Sequence, residues 1–212
     1  MAAVRLHRVL PEYEGRVKLR VRPFPLEIRS GGGGHAGVPR ALLEQEWWLA
    51  AIQEPAATFA PYTGDDFPTT TLPAFDAVWS AARQGEGAAL TLDLAVRRAF
   101  FAGGRNIGRK EVLLDVAHEV GLGVAAIGRD LDGTAARDAV LAEAREGAEQ
   151  HHVRGTPTLT TADGTKLRLP IAYPLIRDGR VVGVGKLPCA GEDCLAATRA
   201  LLDQALRTPP AA

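Results

Sequence analysis

What most restricts this chain is the order in which its hydrophobic periods change. Val17, Leu19 and Val21 alternate with Lys18, Arg20 and Arg22, the two-residue repeat of a half-buried strand whose charged face guards an edge. Arg22-Pro23-Phe24-Pro25-Leu26 ends that segment, and from about residue 38 to residue 152 the repeat is helical. From Thr156 onward it returns to short β segments, and a helix closes the chain. Strand, helical block, strands, helix is the order of an α/β fold carrying a helical insertion. At 212 residues the chain suits one domain over 1–212, with a mostly helical insertion over 38–152, better than two separate domains. About 70% of the unfolded surface can be buried at this length, enough for a core without staples.

Ahead of the first strand, Val4, Leu6, Val9 and Leu10 mark the end of an amphipathic helix that begins at or before residue 1 and is closed by Pro11. Within the helical block the spacing predicts helices at about 39–53 (Leu43, Trp47, Trp48, Ile52), 73–84 (Phe75, Val78, Trp79, Ala82) and 88–102 (Leu90, Leu94, Phe101). Two more are predicted at about 109–120 (Leu113, Val116, Ala117, Val120, then Gly121) and 134–151 (Val140, Ala144, Ala148). Recurrence at helical spacing assigns the aromatic residues of this block to the core. Strands are expected at 156–161, 166–169, 175–177 and 181–184, with Asp163-Gly164 and Asp178-Gly179 as their turns, and a last helix runs from about Asp193 to Leu206.

Charge argues against several functions. The 25 basic residues balance 25 acidic ones, so there is no electrostatic case for nucleic acid or for a membrane surface. No uninterrupted apolar run at the N-terminus suggests a signal peptide, which makes the cytoplasm the expected compartment. Ser30-Gly31-Gly32-Gly33-Gly34-His35 reads as a flexible loop, because no Gly-Lys-Ser/Thr follows to make it a phosphate cradle. There is no serine-hydrolase elbow, Rossmann glycine pattern or HExxH. His151 and His152 close the long helix, where a cation suits the C-terminus; His7, His35 and His118 have no acidic or serine partner at a recognisable spacing.

Two short segments carry chemistry. In Val153-Arg154-Gly155-Thr156-Pro157-Thr158-Leu159, Gly155 can take a backbone angle closed to other residues, and Thr156-Pro157 is the kind of bond for which cis is accessible. Such a segment is a sharp turn that exposes backbone just ahead of a strand, and on its own it fits an ordinary strand-entry turn. Pro188-Cys189-Ala190-Gly191-Glu192-Asp193-Cys194 holds the only two cysteines, with Asp193 placed as an N-cap and Cys194 in the first helical turn. A helix N-terminus favours a thiolate, while Glu192 and Asp193 oppose that effect. A local structural or regulatory disulfide, two unlinked thiols and an auxiliary redox pair all fit. A zinc site would need two more ligands, and His151-His152 lie several strands away, so no metal is expected.

The first strand with Arg22-Pro23-Phe24-Pro25-Leu26 after it, and Val153-Arg154-Gly155-Thr156-Pro157-Thr158 after the last helix of the block, together resemble the DsbA-like thioredoxin-fold family, in particular its FrnE-like branch. The resemblance runs over nearly the whole chain. It implies a thioredoxin-like fold with a helical insertion and a thiol-disulfide oxidoreductase that needs no metal or organic cofactor. The substrate would be a protein or small molecule bearing a thiol or disulfide, held by a cis-proline loop at Arg154, Gly155, Thr156 and Pro157. The family begins with a strand and a Cys-x-x-C at the start of the first helix. This sequence has no Cys-x-x-C, so the catalytic cysteines and the first strand are expected before Met1, and residues 1–212 alone are expected to have low activity. Two further readings stay open: a glutathione-dependent isomerase or transferase of the related kappa type, and a non-catalytic module that binds extended peptide at Thr156-Pro157.

Overall fold

In the computed structural model, which describes residues 1–29 and 40–207, the helical period of the sequence is realised almost where the spacing places it. The helices are α1 (Ala2–Val9), α2 (Leu26–Arg29), α3 (Arg40–Gln53), α4 (Leu72–Ala81), α5 (Ala88–Phe101), α6 (Lys110–Glu119), α7 (Val124–Asp132), α8 (Ala135–Glu149) and α9 (Glu192–Arg207). The strands are β1 (Leu159–Thr160), β2 (Lys166–Leu167), β3 (Pro174–Arg177) and β4 (Arg180–Val184). They form two antiparallel two-stranded sheets, β1 with β2 and β3 with β4. The glycine-rich stretch Ser30–His35 lies outside the described residues. The chain divides into two compact units, one of residues 1–19, 39–59 and 153–212, the other of 20–38 and 60–152.

The second unit is built on α4. Its buried positions Ala74, Ala77, Val78 and Ala81 recur at helical spacing and are nearly all alanine, so α5, α7 and α8 can all approach it closely. Leu92 and Val96 from α5, Leu113, Val116 and Ala117 from α6 and Ile127 from α7 complete the core. Charged side chains tie the same helices together. Arg137 on α8 donates to both carboxylate oxygens of Asp76 on α4, at 2.6, 3.0 and 3.2 Å. Asp130 on α7 accepts from Arg83 and from the Ser80 hydroxyl, and those bonds hold its carboxyl below the usual aspartate range.

The helix α7 is absent from the sequence reading, and its composition explains why. Gly123 precedes it, Gly133 follows it and Gly128 sits in its middle, which blurs a periodic signal carried by Val124, Ile127 and Leu131. Gly128 faces the Leu114 and Lys110 side chains of α6, where an added Cβ would meet them at 3.7–3.9 Å, ordinary contact distance. The start of α4 is capped from a distance. The Glu27 carboxylate accepts the Thr71 backbone N–H together with the hydroxyls of Thr70 and Thr71 at 3.1 and 3.0 Å.

The first unit packs α1 against α9 through Leu6, Val9, Tyr13, Leu195 and Leu202. The Tyr13 hydroxyl donates to the Arg199 carbonyl and to Asp203, at 3.0 and 2.8 Å. The α-helix ends at Val9, and Pro11 falls within a single 3-10 turn, Leu10–Tyr13, that prolongs it. Gly191 has φ +52° and α9 begins one residue later, so Asp193 lies inside its first turn and does not cap it as expected.

Three further expectations are corrected. Residues 17–21 show the predicted alternation, with Val17, Leu19 and Val21 half-buried and Lys18 and Arg20 exposed, yet they pair with no strand among the described residues. Alternation decides which side chains turn inward, whereas a ladder needs a neighbouring strand at about 4.8 Å. The expected strands at 156–161 and 166–169 are likewise reduced to two residues each. Of the α3 aromatics assigned to the core, Trp47 is buried but Trp48 is 53% exposed; Ile52, named with them for its helical spacing, is 68% exposed.

Candidate functional site

The predicted substrate loop leads into β1 in the first unit. The Thr156–Pro157 peptide bond is cis. Arg154, Gly155 and Thr156 are exposed, Pro157 and Thr158 are half-buried, and the Thr158 hydroxyl donates to the Gly155 carbonyl at 2.7 Å. Gly155 does not use a left-handed angle: its neighbourhood is open, and His152, at φ +48°, is the residue that turns the backbone there. Three consecutive residues, 154–156, are thus exposed to solvent before the chain joins a sheet. That geometry suits an extended polypeptide laid alongside the loop.

The turn after β1 is stiffened by one carboxylate. Asp163 accepts from the Thr161 hydroxyl, from the Thr165 N–H at 3.0 Å and from the Thr165 hydroxyl at 3.0 Å, and these bonds, led by Thr161, hold its carboxyl below the usual aspartate range. The Thr161 N–H and the Thr165 carbonyl close the same turn at 2.9 Å. A short, well-tied hairpin therefore holds the segment that follows Pro157. Leu159, two residues beyond that proline, shares an apolar cluster with Ala2 at the start of α1. The first turn of α1 and the strand after the loop belong to one core.

A second constellation, which the sequence reading missed, fixes α1 in that core. Arg5 is 1% exposed; its guanidinium donates to Glu54 at 3.0 Å and to the carbonyls of Gln53 and Pro170. Glu54, 2% exposed, also meets Arg8 at 3.3 Å, and Arg8 reaches Glu192 on α9 at 3.0 Å. The Gln53 side chain forms a reciprocal pair with the backbone of Ala172, at 2.9 and 2.8 Å. The signal was available: Ala2, Arg5, Leu6 and Val9 fall at i, i+3, i+4 and i+7, so an arginine occupies the apolar stripe of α1.

Cys189 and Cys194 are joined in a disulfide, with Cα atoms 5.1 Å apart. Cys194 is fully buried and Cys189 half-buried; the Cys189 sulfur lies 3.7 Å from the Pro170 carbonyl oxygen that Arg5 also engages. The pair therefore clasps the start of α9 beside the buried arginine, at a place distinct from Thr156-Pro157 in the sequence. His151 and His152 follow the end of α8, and the His151 ring meets Glu146 at 3.4 Å. Among the described residues no group of three or more His, Cys, Asp or Glu is placed to hold a metal ion, and no helix is long and apolar enough to cross a membrane.

A cis-proline turn entering a strand, with a helical unit between it and the first helix, agrees with the family model that matches residues 1–170, that of the DSBA-like thioredoxin domain. This chain belongs to that family. The β3–β4 hairpin and α9 follow the matched region. Among solved structures, the chain is similar to a "putative protein disulfide isomerase" from Nitrosomonas europaea, with a TM-score of 0.62 and 16% identity over 95% of this chain and 90% of that one. At that identity the likeness establishes the α/β, DsbA-like thioredoxin fold with its helical insertion. No curated protein matches.

Proposed function

We propose that this protein takes part in thiol-disulfide exchange, with residues 154–157 holding the substrate chain and a Cys-x-x-C N-terminal to Met1 supplying the reacting sulfur. The observation that carries this reading is the exposed Arg154-Gly155-Thr156 backbone ending at a cis-proline, in a chain of this family. Backbone amides and carbonyls there would pair with an extended segment on either side of the substrate's sulfur. A thiolate then attacks one sulfur of a substrate disulfide, a new S–S bond forms, and the departing sulfur leaves with the bonding electrons and takes up a proton. A second thiolate resolves the mixed disulfide in the same way, leaving the substrate reduced and the enzyme pair oxidised.

Two observations support a strand and cysteines supplied from outside these 212 residues. The sequence contains no Cys-x-x-C, and the alternating segment 17–21 has no partner strand among the described residues. The test compares the 212-residue chain with one extended through its upstream reading frame, using reduction of insulin by dithiothreitol. The short chain should run at the uncatalysed rate and the long one well above it. A stop codon immediately before Met1 would defeat the proposal, as would catalysis by the short chain that Cys194→Ser abolishes. The second result would move the chemistry to the Cys189–Cys194 pair.

A further inference from the structure

Positive charge in the first unit gathers where the substrate loop runs into its hairpins. Residues 154–186 carry six arginine or lysine residues against two aspartates, in a chain whose net charge is zero. Elsewhere in that unit Arg5, Arg8, Arg40 and Arg199 each meet a glutamate. Arg168, by contrast, has no ion-pair partner among the described residues. One of the two aspartates, Asp163, is drawn into its own turn by Thr161 and Thr165. The stretch that holds the cis-proline is thus a cationic surface with little acid to offset it.

Strand register brings three of the cations beside that proline. Leu159 pairs with Leu167 and Thr160 with Lys166, so Leu159, Leu167 and Leu169 turn inward while Thr160, Lys166 and Arg168 share the outer, exposed face. The same register continued by one residue sets Arg168 level with Thr158, the residue after Pro157. Arg154, also exposed, precedes Pro157 by three residues, within about 11 Å along the chain. Cationic residues therefore flank the cis bond on both sides, whereas Asp163 stands at the far end of the hairpin, beyond Thr160 and Lys166. A strand added at the edge of β1 would extend the sheet in its own plane and leave this face uncovered.

Resting on the reading of residues 154–157 as the loop that holds substrate, we infer that Arg154, Lys166 and Arg168 select what is held: a polypeptide with acidic residues flanking its reacting cysteine. An extended segment rises about 3.3 Å per residue, so carboxylates within three residues of the sulfur fall inside a Debye length of these cations. Attraction at that range speeds encounter and fixes register. Segments rich in lysine are repelled at the same range, and that repulsion is half of the selectivity.

Fluorescence anisotropy with the 212-residue chain tests this without the reacting sulfur. Two labelled peptides share a central S-methylcysteine in a Gly/Ser background and differ only in carrying a pair of glutamates or a pair of lysines on each side. The glutamate peptide should bind at least tenfold more tightly at about 20 mM salt, and the ratio should fall to about threefold at about 0.3 M, where exposed charges are screened. Arg168→Gln should lower the low-salt ratio about threefold, Arg154→Gln should act in the same direction, and Arg168→Lys should keep the ratio, which separates charge from packing. Equal binding of the two peptides, a preference for lysine, or a ratio unchanged in the Arg154→Gln, Arg168→Gln double variant overturns the inference and leaves residues 154–157 as the substrate loop. Binding of neither peptide overturns the inference together with that reading of the loop.

Discussion

Arg5 offers the sharpest test of how the first unit holds together. Arg5→Met keeps most of the aliphatic volume in the apolar stripe of α1 but removes every donor of the guanidinium. Three acceptors lose their partner at once: the Glu54 carboxylate and the carbonyls of Gln53 and Pro170. Glu54 is 2% exposed and would keep the Ala56 N–H and Arg8, whose own side chain is 39% exposed. Breaking one side of a buried ion pair costs about 3–5 kcal/mol, because the remaining charge is buried without compensation. For a chain of this length that corresponds to a fall in Tm of roughly 6–20 °C. Urea unfolding gives the free energy, and hydrogen exchange at the α1 and α9 amides shows that the loss falls in the first unit. Replacing both partners, Arg5→Met with Glu54→Leu, should recover most of the loss, since apolar groups of similar volume often replace a buried pair at little cost. A single variant within about 1 kcal/mol of wild type, or a double variant worse than Arg5→Met, would refute this reasoning.

Other expectations are simpler. Burial works to raise the Glu27 carboxyl, but its bonds from the Thr71 N–H and the Thr70 and Thr71 hydroxyls outweigh that and leave it below the usual glutamate range. A depressed acid stabilises the fold above its unfolded value of about 4.3 and loses that contribution as pH falls through the folded value. Glu27→Gln should therefore flatten the acid limb of the stability curve, with little change in its shape between pH 6 and 8; an unchanged acid limb would count against the cap. Gly128→Ala should stabilise α7 by about 0.5–1 kcal/mol, because the added Cβ meets Leu114 and Lys110 at ordinary contact distance and the unfolded chain loses freedom. Thermal melts that fall on mutation would show that the helices need a bare backbone there. Cys189→Ser, which opens a loop of sequence separation 5, should cost roughly 2 kcal/mol by the loop-entropy relation. Urea titration of oxidised wild type against the variant checks it, and no difference would make the clasp incidental.

Legibility followed the range of the interactions. The helices α3, α4, α5, α6, α8 and α9 stand within about three residues of the expected boundaries, because a repeat of apolar side chains over three or four turns survives any plausible partner. The exceptions are α2, only four residues long, and α7, a short helix with Gly128 in its middle. The Thr156–Pro157 loop was legible for the same local reason, being a proline after a small residue at the mouth of a strand. Arg5 was visible as an anomaly in the stripe of α1 and passed over. Its partners Gln53, Glu54 and Pro170 stand 48, 49 and 165 positions away, and no local pattern brings them in.

The sequence by itself determined the helical period, the alternation of 17–21 and the turn chemistry at Asp163 and Pro157, since each depends on a residue's own φ/ψ range or on neighbours within one turn. Only the tertiary structure decided which alternating segments acquire a ladder, that Trp47 goes inside while Trp48 stays exposed, that Cys189 and Cys194 join, and that an arginine is buried on α1. Those outcomes depend on what lies opposite a residue in space. A strand pairs, a cysteine bonds and a charge is buried only when a distant part of the chain supplies the matching group.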